Sequence, residues 1–381
     1  MRNSHTRVTY RRNPGFLERV GNSLVGILVG IVLLIGSSAL LFWNEGRAVR
    51  TAKSLDEGLS LVLPIQSAFS INNENNQKLV HVIGDLQTDK ALRDDIYGVS
   101  VHAAVLKRKV EMYQWVEHES KREYNEGGQT RTETTYSYDL EWRSELVNSG
   151  SFDNTVGHHN PSSYPVDSRT FRLIDQISEF HTLPESALPQ PNHGNVRLFN
   201  GKYFTGEDPH RPQVGDIRVW YEYSGLSGES MLGKPDKVSI VAKQQGNRLT
   251  SYRSSYGNDI EFLYFGELSP EDIFSKEQNK NTFITWGVRF LGWLLMFVGF
   301  GCLTSIVTTL VDWLPIVREL VAAGVTIMNL SLSISLSLTV IALGWITYRP
   351  LLGLTILAMA ATPFIMTKFR SQEPRSSSRY D

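Results

Sequence analysis

The densest group of side chains able to do chemistry in this 381-residue chain is His158-His159-Asn160-Pro161, which follows Asp153. Two imidazoles beside a carboxylate could bind a metal ion or act as a general base. Adjacent residues of a loop point in different directions, however, and the sequence has no second ligand cluster at metal-binding spacing. It also lacks a phosphate-binding loop, a G-x-S-x-G elbow, an H-E-x-x-H helix and a cysteine pair. We therefore predict a structural or solvated loop at His158 and His159. We predict no catalytic, cofactor or metal site, and a protein that is not an enzyme.

A group of aromatic residues is the second candidate site: Tyr113, Trp115, Tyr136, Tyr138 and Trp142. These rings could line a ligand cavity, although packing across neighbouring strands explains them more simply. Tyr113 and Trp115 stand among charged residues. If they share a face with those charges, they are candidates for a surface that contacts a partner or the membrane.

These residues fall in segments whose polarity alternates with period two, which is typical of β-strands with one buried face. The alternation runs on both sides of Asn125-Glu126-Gly127-Gly128, a turn signal, and so predicts a long antiparallel hairpin. The residues predicted to share its buried face are Leu106, Val110, Met112 and Val116. Later strands are predicted at Ile217–Tyr223, Val238–Lys243 and Ile260–Phe265.

Two helices are predicted in the same region. The first runs near Ser168–Phe180, on the three-residue spacing of Phe171, Ile174 and Ile177. The second begins at Ser269-Pro270-Glu271-Asp272, which supplies a cap, a proline at the first helical position and two acids in the first turn. Residues 44–285 are therefore predicted to form one β-rich α+β domain.

Apolar runs flank this domain and approach the ~20 residues that a helix needs to cross a bilayer. We predict four transmembrane α-helices at residues 22–43, 286–311, 320–346 and 350–367, with the β-rich domain inserted between the first and the second. The fourth run is short, so a tilted or partly interfacial helix is an alternative. Beyond residue 43 an apolar stripe continues helically, and this entry helix either packs on the domain or lies on the membrane surface.

Charge distribution predicts the orientation. The chain carries 38 basic and 39 acidic side chains, so no net field indicates a nucleic-acid partner. Basic residues cluster in the two end segments, 1–21 and 368–381, and short basic flanks stay cytosolic. Both termini are therefore predicted to be cytosolic or nucleoplasmic, with the inserted domain on the other side. The inserted domain has no cysteine and no glycosylation acceptor, which fits the endoplasmic reticulum or nuclear envelope and would also fit a cytosolic domain.

Signals inside the membrane runs concern packing. Gly26 and Gly30 form a G-x-x-x-G pair, which lets a second helix approach closely. Ser331, Ser335 and Thr339 recur at spacings of four, and their hydroxyls need partners in hydrocarbon. Both groups predict either packing within the bundle or contact between copies. Arg289 and Arg349 lie near helix ends, where they can reach the interface, and no ionisable residue stands at mid-helix.

Several segments, taken together, resemble the LUMA family of membrane proteins (transmembrane protein 43). They include Val110-Glu111-Met112-Tyr113-Gln114-Trp115-Val116-Glu117, Glu141-Trp142-Arg143-Ser144-Glu145, Asn44-Glu45-Gly46-Arg47-Ala48, Val214-Gly215-Asp216-Ile217-Arg218-Val219 and Tyr348-Arg349-Pro350. The resemblance implies a four-pass protein of the endoplasmic reticulum and inner nuclear membrane with a lumenal or perinuclear domain. It also implies self-association and links to emerin, lamins and SUN-domain proteins.

From the residues and this resemblance we predict a non-enzymatic scaffold that helps to organise protein complexes and maintain the nuclear envelope. Its expected partners are membrane lipids, other copies of itself and envelope proteins. Two other functions stay open: a module that binds a lipid or small ligand, and a component of an oligomeric channel.

Overall fold

A computed structural model describes residues 4–65, 72–173, 179–191, 195–311 and 315–351. The chain divides into two compact units. The β unit takes the described residues of 1–13, 63–250 and 261–269, and the helical unit takes those of 14–62, 251–260 and 270–351. The predicted domain of residues 44–285 is larger than the β unit, because 44–62 and 270–285 continue long helices.

Strands make up most of the β unit. The strands up to the end of the long hairpin are β1 (Ser4–Arg12), β2 (Leu63–Ile65), β3 (Leu79–Asp85), β4 (Leu92–Asp94), β5 (Val99–Val101), β6 (Ala103–Glu126) and β7 (Gln129–Arg143). The later ones are β8 (Arg169–Arg172), β9 (His181–Thr182), β10 (Val196–Phe199), β11 (Lys202–Thr205), β12 (Ile217–Leu226), β13 (Lys237–Gln245), β14 (Arg248–Thr250) and β17 (Phe262–Phe265). Two further short strands, β15 (Tyr252–Arg253) and β16 (Asp259–Ile260), belong to the helical unit.

Two sheets hold most of these strands, whereas β4 pairs only with β5 and β15 only with β16. The larger has the order β1-β7-β6-β12-β11-β10, with β8 paired to β6 and β9 paired to β12. The smaller has the order β14-β13-β3-β2, with β17 paired to β13. β2 and β3 pair in parallel, whereas the other pairings are antiparallel.

The predicted hairpin is confirmed as β6 and β7, which pair from Met112↔Arg143 to Glu126↔Gln129. Gly127 and Gly128 close it with positive φ angles of 56° and 82°, a conformation that glycine adopts without strain. The predicted inner face is also confirmed, because the side chains of Leu106, Val110, Met112 and Val116 are buried. The three later strands form close to the predicted positions, as β12, β13 and β16–β17.

A charged pair is buried within the core of the larger sheet. The Arg108 guanidinium donates to Asp94 Oδ2 at 2.6 Å, and the Tyr221 hydroxyl donates to the same oxygen at 2.6 Å. Burial and this hydrogen bond raise the pKa of Tyr221. A buried ion pair is stable only when its remaining polar atoms are satisfied, and here Arg108 Nε also donates to the Asp167 carbonyl.

The predicted helix near Ser168–Phe180 is wrong in its first part. Arg169–Arg172 is strand β8, which pairs antiparallel with Val105–Arg108, whereas residues 174–178 lie outside the described residues. The backbone of β6 offers hydrogen-bonding groups along this edge, so pairing over a long sequence distance overrides the local spacing of Phe171, Ile174 and Ile177.

The N-terminal segment contains a strand that the sequence analysis does not predict, at residues 4–12. They form β1, the edge strand of the larger sheet, in register with β7 from Ser4↔Ser137 to Arg12↔Gln129. β1 precedes the first long helix and β7 follows it. One membrane crossing by that helix would place the two strands on opposite sides of the bilayer. The predicted orientation has residues 1–21 in the cytosol and the β domain in the lumen. One molecule therefore cannot have both this orientation and the pairing of β1 with β7.

Three long helices form the helical unit: α1 (Phe16–Leu61), α2 (Pro270–Leu310) and α3 (Pro315–Tyr348). Each contains a stretch long and apolar enough to cross a membrane, at Glu18–Leu61, Pro270–Leu310 and Val317–Tyr348. The predicted helix start at Pro270 is confirmed, but the helix continues without a break through the second apolar run. The fourth predicted span, 350–367, lies outside the described residues from residue 352 onwards.

The pairing of β1 with β7 predicts a disulfide between Thr6→Cys and Thr135→Cys, in a chain that also carries Cys302→Ser. The two threonine hydroxyl oxygens lie 3.1 Å apart, which is compatible with the Cβ separation of about 3.5–4.5 Å that a disulfide needs. We expect disulfide-linked peptides of the two segments in mass spectrometry of protein isolated under non-reducing conditions.

The matched control for this cross-link is Thr6→Cys with Glu133→Cys, which is displaced by two residues along β7. It should yield less of the linked peptides. If the Thr6/Thr135 variant yields no more linked peptides than the control, both before and after oxidant is added, then β1 does not lie on the hairpin. The predicted orientation with a cytosolic N-terminus would then stand.

Candidate functional site

The predicted G-x-x-x-G pair lies where α1 crosses α2. A Cβ atom added at Gly30 would stand 2.7 Å from the Gly299 carbonyl oxygen and 3.1 Å from the Cys302 Cβ. At Gly26 the nearest atoms would be 3.6 Å away, which is ordinary van der Waals contact. Gly30 is therefore required by the close approach of the two backbones, and this contact lies within one chain.

The predicted hydroxyl stripe on α3 faces away from the other described helices. Ser331, Ser335 and Thr339 are exposed, and the hydroxyls of Ser331 and Thr339 donate to carbonyls one turn back. The polar residues that α3 turns towards the bundle are Asn329, Ser333 and Ser337. Asn329 Nδ2 donates to Thr304 Oγ1 at 2.8 Å. Contact between copies through the exposed stripe stays a prediction.

An ion pair joins the three helices, near the middle of α1 and α2 and near the end of α3. The Arg289 guanidinium donates to Glu45 through Nε at 2.7 Å and through a terminal nitrogen at 2.8 Å. The Trp345 indole N–H donates to Glu45 Oε2 at 2.9 Å. Glu45 is on α1, Arg289 on α2 and Trp345 on α3, so one carboxylate receives donors from two other helices. Charge-assisted bidentate contacts of this kind are among the stronger hydrogen bonds in proteins.

A second polar network lies beside this pair. The Arg47 guanidinium donates to Asn281 Oδ1 and to Thr285 Oγ1, at 3.0 Å each. Asn281 Nδ2 donates to the Ala48 carbonyl at 3.0 Å, and Asn44 Nδ2 donates to the Thr285 carbonyl at 3.2 Å. Sequence reasoning placed Arg289 near a helix end but found no partner for it. The available signal was Glu45 itself, an acidic residue just after the apolar run that ends at Trp43.

Tyr113 and Trp115 lie on the face of β6 opposite the buried Met112 and Val116, and their side chains are half-buried. The Tyr113 ring packs against Trp142 with centroids 5.2 Å apart. The Trp115 ring meets His158 edge-on at 4.7 Å. Both residues thus take part in cross-strand and loop packing, and their role in partner or membrane contact stays a prediction.

His158 makes the contacts of a structural residue. Its ring stacks on Tyr138 at 4.1 Å, and its Nδ1 lies 3.1 Å from the Asn154 carbonyl oxygen. The Tyr138 hydroxyl donates to Glu117, and burial together with this bond raises the pKa of Tyr138 to about 12. His159 is exposed. Within the described residues, no three His, Cys, Asp or Glu side chains are placed to hold a metal ion.

Asn160, which sequence reasoning used only as part of the histidine cluster, fixes this loop to the hairpin. Its Oδ1 accepts from the Trp115 backbone N–H at 2.8 Å, and its Nδ2 donates to the carbonyls of Trp115 and Val147. The amide thus takes the place of a neighbouring strand. Asparagine next to proline in a loop was too common a pattern to indicate this role.

Apolar helices packed through glycine and a buried ion pair, together with a β-rich unit, define a multi-pass membrane protein. The family model described as Transmembrane protein 43 matches residues 112–350. Transmembrane protein 43 from Homo sapiens is 42% identical over 97% of this chain and 96% of its own length. The Mus musculus protein is 43% identical with the same coverage. The homolog from Drosophila melanogaster is 32% identical over 89% of this chain and 93% of its own.

The chain therefore belongs to the transmembrane protein 43 family, as its sequence segments indicated. No solved structure matches it.

Replacing Gly30 by alanine is predicted to destabilise the helical unit, because the new methyl group would overlap the Gly299 carbonyl. Overpacking of this kind costs about 1–3 kcal/mol. The thermal unfolding midpoint of the full chain in detergent, followed by tryptophan fluorescence, should fall. Gly36→Ala is the matched control in the same helix, because nothing lies within 4 Å of its added Cβ. Equal midpoints for the two variants would refute the close contact.

Glu45→Ala is predicted to destabilise the chain by up to about 3 kcal/mol, because it leaves the partly buried Arg289 without its counter-charge. Adding Arg289→Ala to this variant should recover part of the loss. The same unfolding midpoint measures both effects, with the exposed Glu271→Ala as the control carboxylate. A double variant that is no more stable than Glu45→Ala alone would contradict the coupling of the two residues.

Proposed function

We propose that this protein is a non-enzymatic multi-pass membrane scaffold that helps to organise protein complexes at the inner nuclear membrane and endoplasmic reticulum. The proposal is carried by one observation on the β unit, the exposed outer part of its long hairpin. We call the distal ribbon the set of β1, the part of β6 after Val116 and the part of β7 before Asp139.

The distal ribbon is built without a core of its own. Of its residues, only Thr134 and Tyr138 have buried side chains. Two or three strands without a hydrophobic face are marginally stable in water unless they pack against another surface. A ribbon of this length therefore favours a second protein as its packing partner.

The chemistry of the ribbon favours a protein rather than lipid. Charges of both signs alternate along it, and examples are the pairs Lys121–Glu119 and Arg131–Glu126. Hydrocarbon cannot accept such side chains, and exposed ion pairs add little stability of their own. Mixed charges do provide specificity, because they must be matched by the surface of a partner.

The base of the ribbon is held firmly by the loop that contains His158. Glu117 accepts from the Tyr138 hydroxyl at 2.7 Å and from the Asp153 backbone N–H at 2.6 Å. His5 and Arg7 of β1 both contact the Asp153 carboxylate. The hydrogen bond from His5, and then the charge of Arg7, lower the pKa of Asp153, so these contacts persist at neutral pH. A fixed base lets the ribbon present one surface.

The resemblance to the family supplies the candidate partners and location. We propose emerin, lamins and SUN-domain proteins as partners, self-association through the membrane helices, and a location in the endoplasmic reticulum and inner nuclear membrane. The predicted orientation with both termini cytosolic or nucleoplasmic is incompatible with a ribbon that contains β1. The cross-link between residues 6 and 135 decides between the two.

Shortening the ribbon tests the scaffold function. Residues 118–137 are replaced by Asn-Gly, which joins the cross-strand partners Glu117 and Tyr138 by a two-residue turn. We expect proximity labelling in cells to lose envelope and reticulum proteins by about tenfold, which corresponds to about 1.4 kcal/mol of binding. The unfolding midpoint of the purified chain should stay close to that of the parent, because Thr134 is the one buried residue among those removed.

Two further variants complete this experiment. Gly127→Asn keeps the ribbon and a turn residue that tolerates positive φ, and it should label the same proteins as the parent. Lys121→Glu with Arg122→Glu keeps the length but changes the charge, and it should lose partners as the shortened chain does. Unchanged labelling by both the shortened and the charge-reversed chains would refute the ribbon as a docking surface.

A further inference from the structure

A cavity of about 200 Å³ lies among the three helices of the helical unit, beside the middle of α1 and α2. All three helices line it, and the residues that matter most are Glu45, Trp286, Arg289, Trp345 and Arg349. A water molecule takes up roughly 30 Å³ in the liquid, so the cavity has room for a small polar group several times larger. Neither the family resemblance nor the scaffold function assigns a role to this cavity.

The position of the cavity along the helices is that of a membrane–water interface. Glu45 follows the apolar run that ends at Trp43, and Arg289 precedes the run that begins at Phe290. On α3 the apolar run ends at Trp345, one turn before Arg349. Tryptophan is enriched at the level of lipid headgroups, where its ring is apolar and its N–H is polar. The cavity therefore stands at the headgroup level of whichever leaflet it faces.

The charge of the cavity favours an anion. The single carboxylate, Glu45, is already engaged by Arg289 and by the Trp345 indole. Arg349 is an exposed residue that lines the same cavity, and its guanidinium has no ion pair or side-chain hydrogen bond to any residue in the described part of the chain. Two arginines against one carboxylate leave one positive charge uncompensated. Arginine recognises phosphate with its planar array of donors.

An apolar surface continues from the cavity along α2. Trp286, Phe290 and Leu294 recur at spacings of four, so they share one face of the helix. All three are exposed among the described residues. A soluble anion would gain nothing from this surface, whereas a lipid whose headgroup sits in the cavity could lay an acyl chain along it.

We propose that this cavity binds the phosphate group of an anionic phospholipid, with Arg349 as its principal charged contact. The buried pair of Glu45 and Arg289 forms the wall of the site and keeps its geometry fixed. The phosphate of the lipid provides a counter-charge to Arg349. The acyl chain of the lipid covers the face of α2 that begins at Trp286.

The test measures binding of dioctanoyl phosphatidic acid to the full chain in detergent by native mass spectrometry. Arg349→Gln should weaken binding about tenfold, which corresponds to about 1.4 kcal/mol. Arg349→Lys, which keeps the charge, should recover part of that affinity. Arg50→Gln is the matched control, because Arg50 is exposed and lies two residues from both Ala48 and Ala52, on the opposite face of α1. Its affinity should equal that of the parent.

Two competing ligands identify the source of the phosphate. Dioctanoyl phosphatidylcholine should bind more weakly, because its choline group places a positive charge near Arg349. Inorganic phosphate should not displace the lipid at equal concentration, because it lacks an acyl chain. Equal binding of phosphatidylcholine, displacement by inorganic phosphate, or full affinity in Arg349→Gln would each overturn the proposal.

Discussion

The bidentate pair between Glu45 and Arg289 sets the height at which the helices meet, and the packing of the membrane part depends on it. A charge-assisted contact with two short hydrogen bonds tolerates little sliding of one helix along the other. Because Trp345 donates to the same carboxylate, α3 is held at the same level. With this level fixed, the backbones of Gly30 and Gly299 come into close contact. Near the start of α1 and the end of α2, the Ser23 and Thr309 hydroxyls stand 3.1 Å apart. The small and polar residues of the bundle then lie opposite one another.

The β unit is stabilised by hydrogen bonds from amide side chains to backbone groups that have no neighbouring strand. Asn160 supplies the hydrogen bonds of an absent neighbour to Trp115, and Gln114 does the same for Val147 through its Oε1. These amides are satisfied on both their donor and acceptor sides, so they can be buried at little cost. The hairpin is therefore firm at its base while its outer part remains exposed. The protein thus presents two surfaces of different chemistry, the mixed charges of the distal ribbon and the basic cavity of the helices.

Local patterns in the sequence predicted those features whose cause is local. Alternating polarity and two glycines were enough to predict the hairpin. A buried strand face has a period of two residues, and a tight turn prefers glycine. The serine, proline and acids at 269–272 were enough for the start of α2. Length and composition were enough for three membrane helices. None of these depends on which distant segment becomes a neighbour.

Features decided by distant neighbours could not be predicted from the sequence. β8 and β1 are strands because β6 and β7 offer them backbone partners, and neither segment carries that information. On α3, hydroxyls stand on two faces, and spacing alone did not distinguish Ser333 and Ser337, which are buried, from Ser331 and Ser335, which are exposed. The partner of Arg289 was likewise out of reach, because Glu45 lies 244 residues away.

The pairing of β1 with β7 also has a consequence for the order of events during synthesis. Thr6 and Thr135 are separated by 129 positions. At roughly 5–20 residues per second, the hairpin leaves the ribosome roughly 6–26 s after β1 does. Throughout that interval the N-terminal segment has no strand to join, whereas α1, which ends at Leu61, is complete before half of the interval has passed and is then able to enter the membrane. The side of the bilayer on which β1 finally rests is therefore chosen before its partner exists.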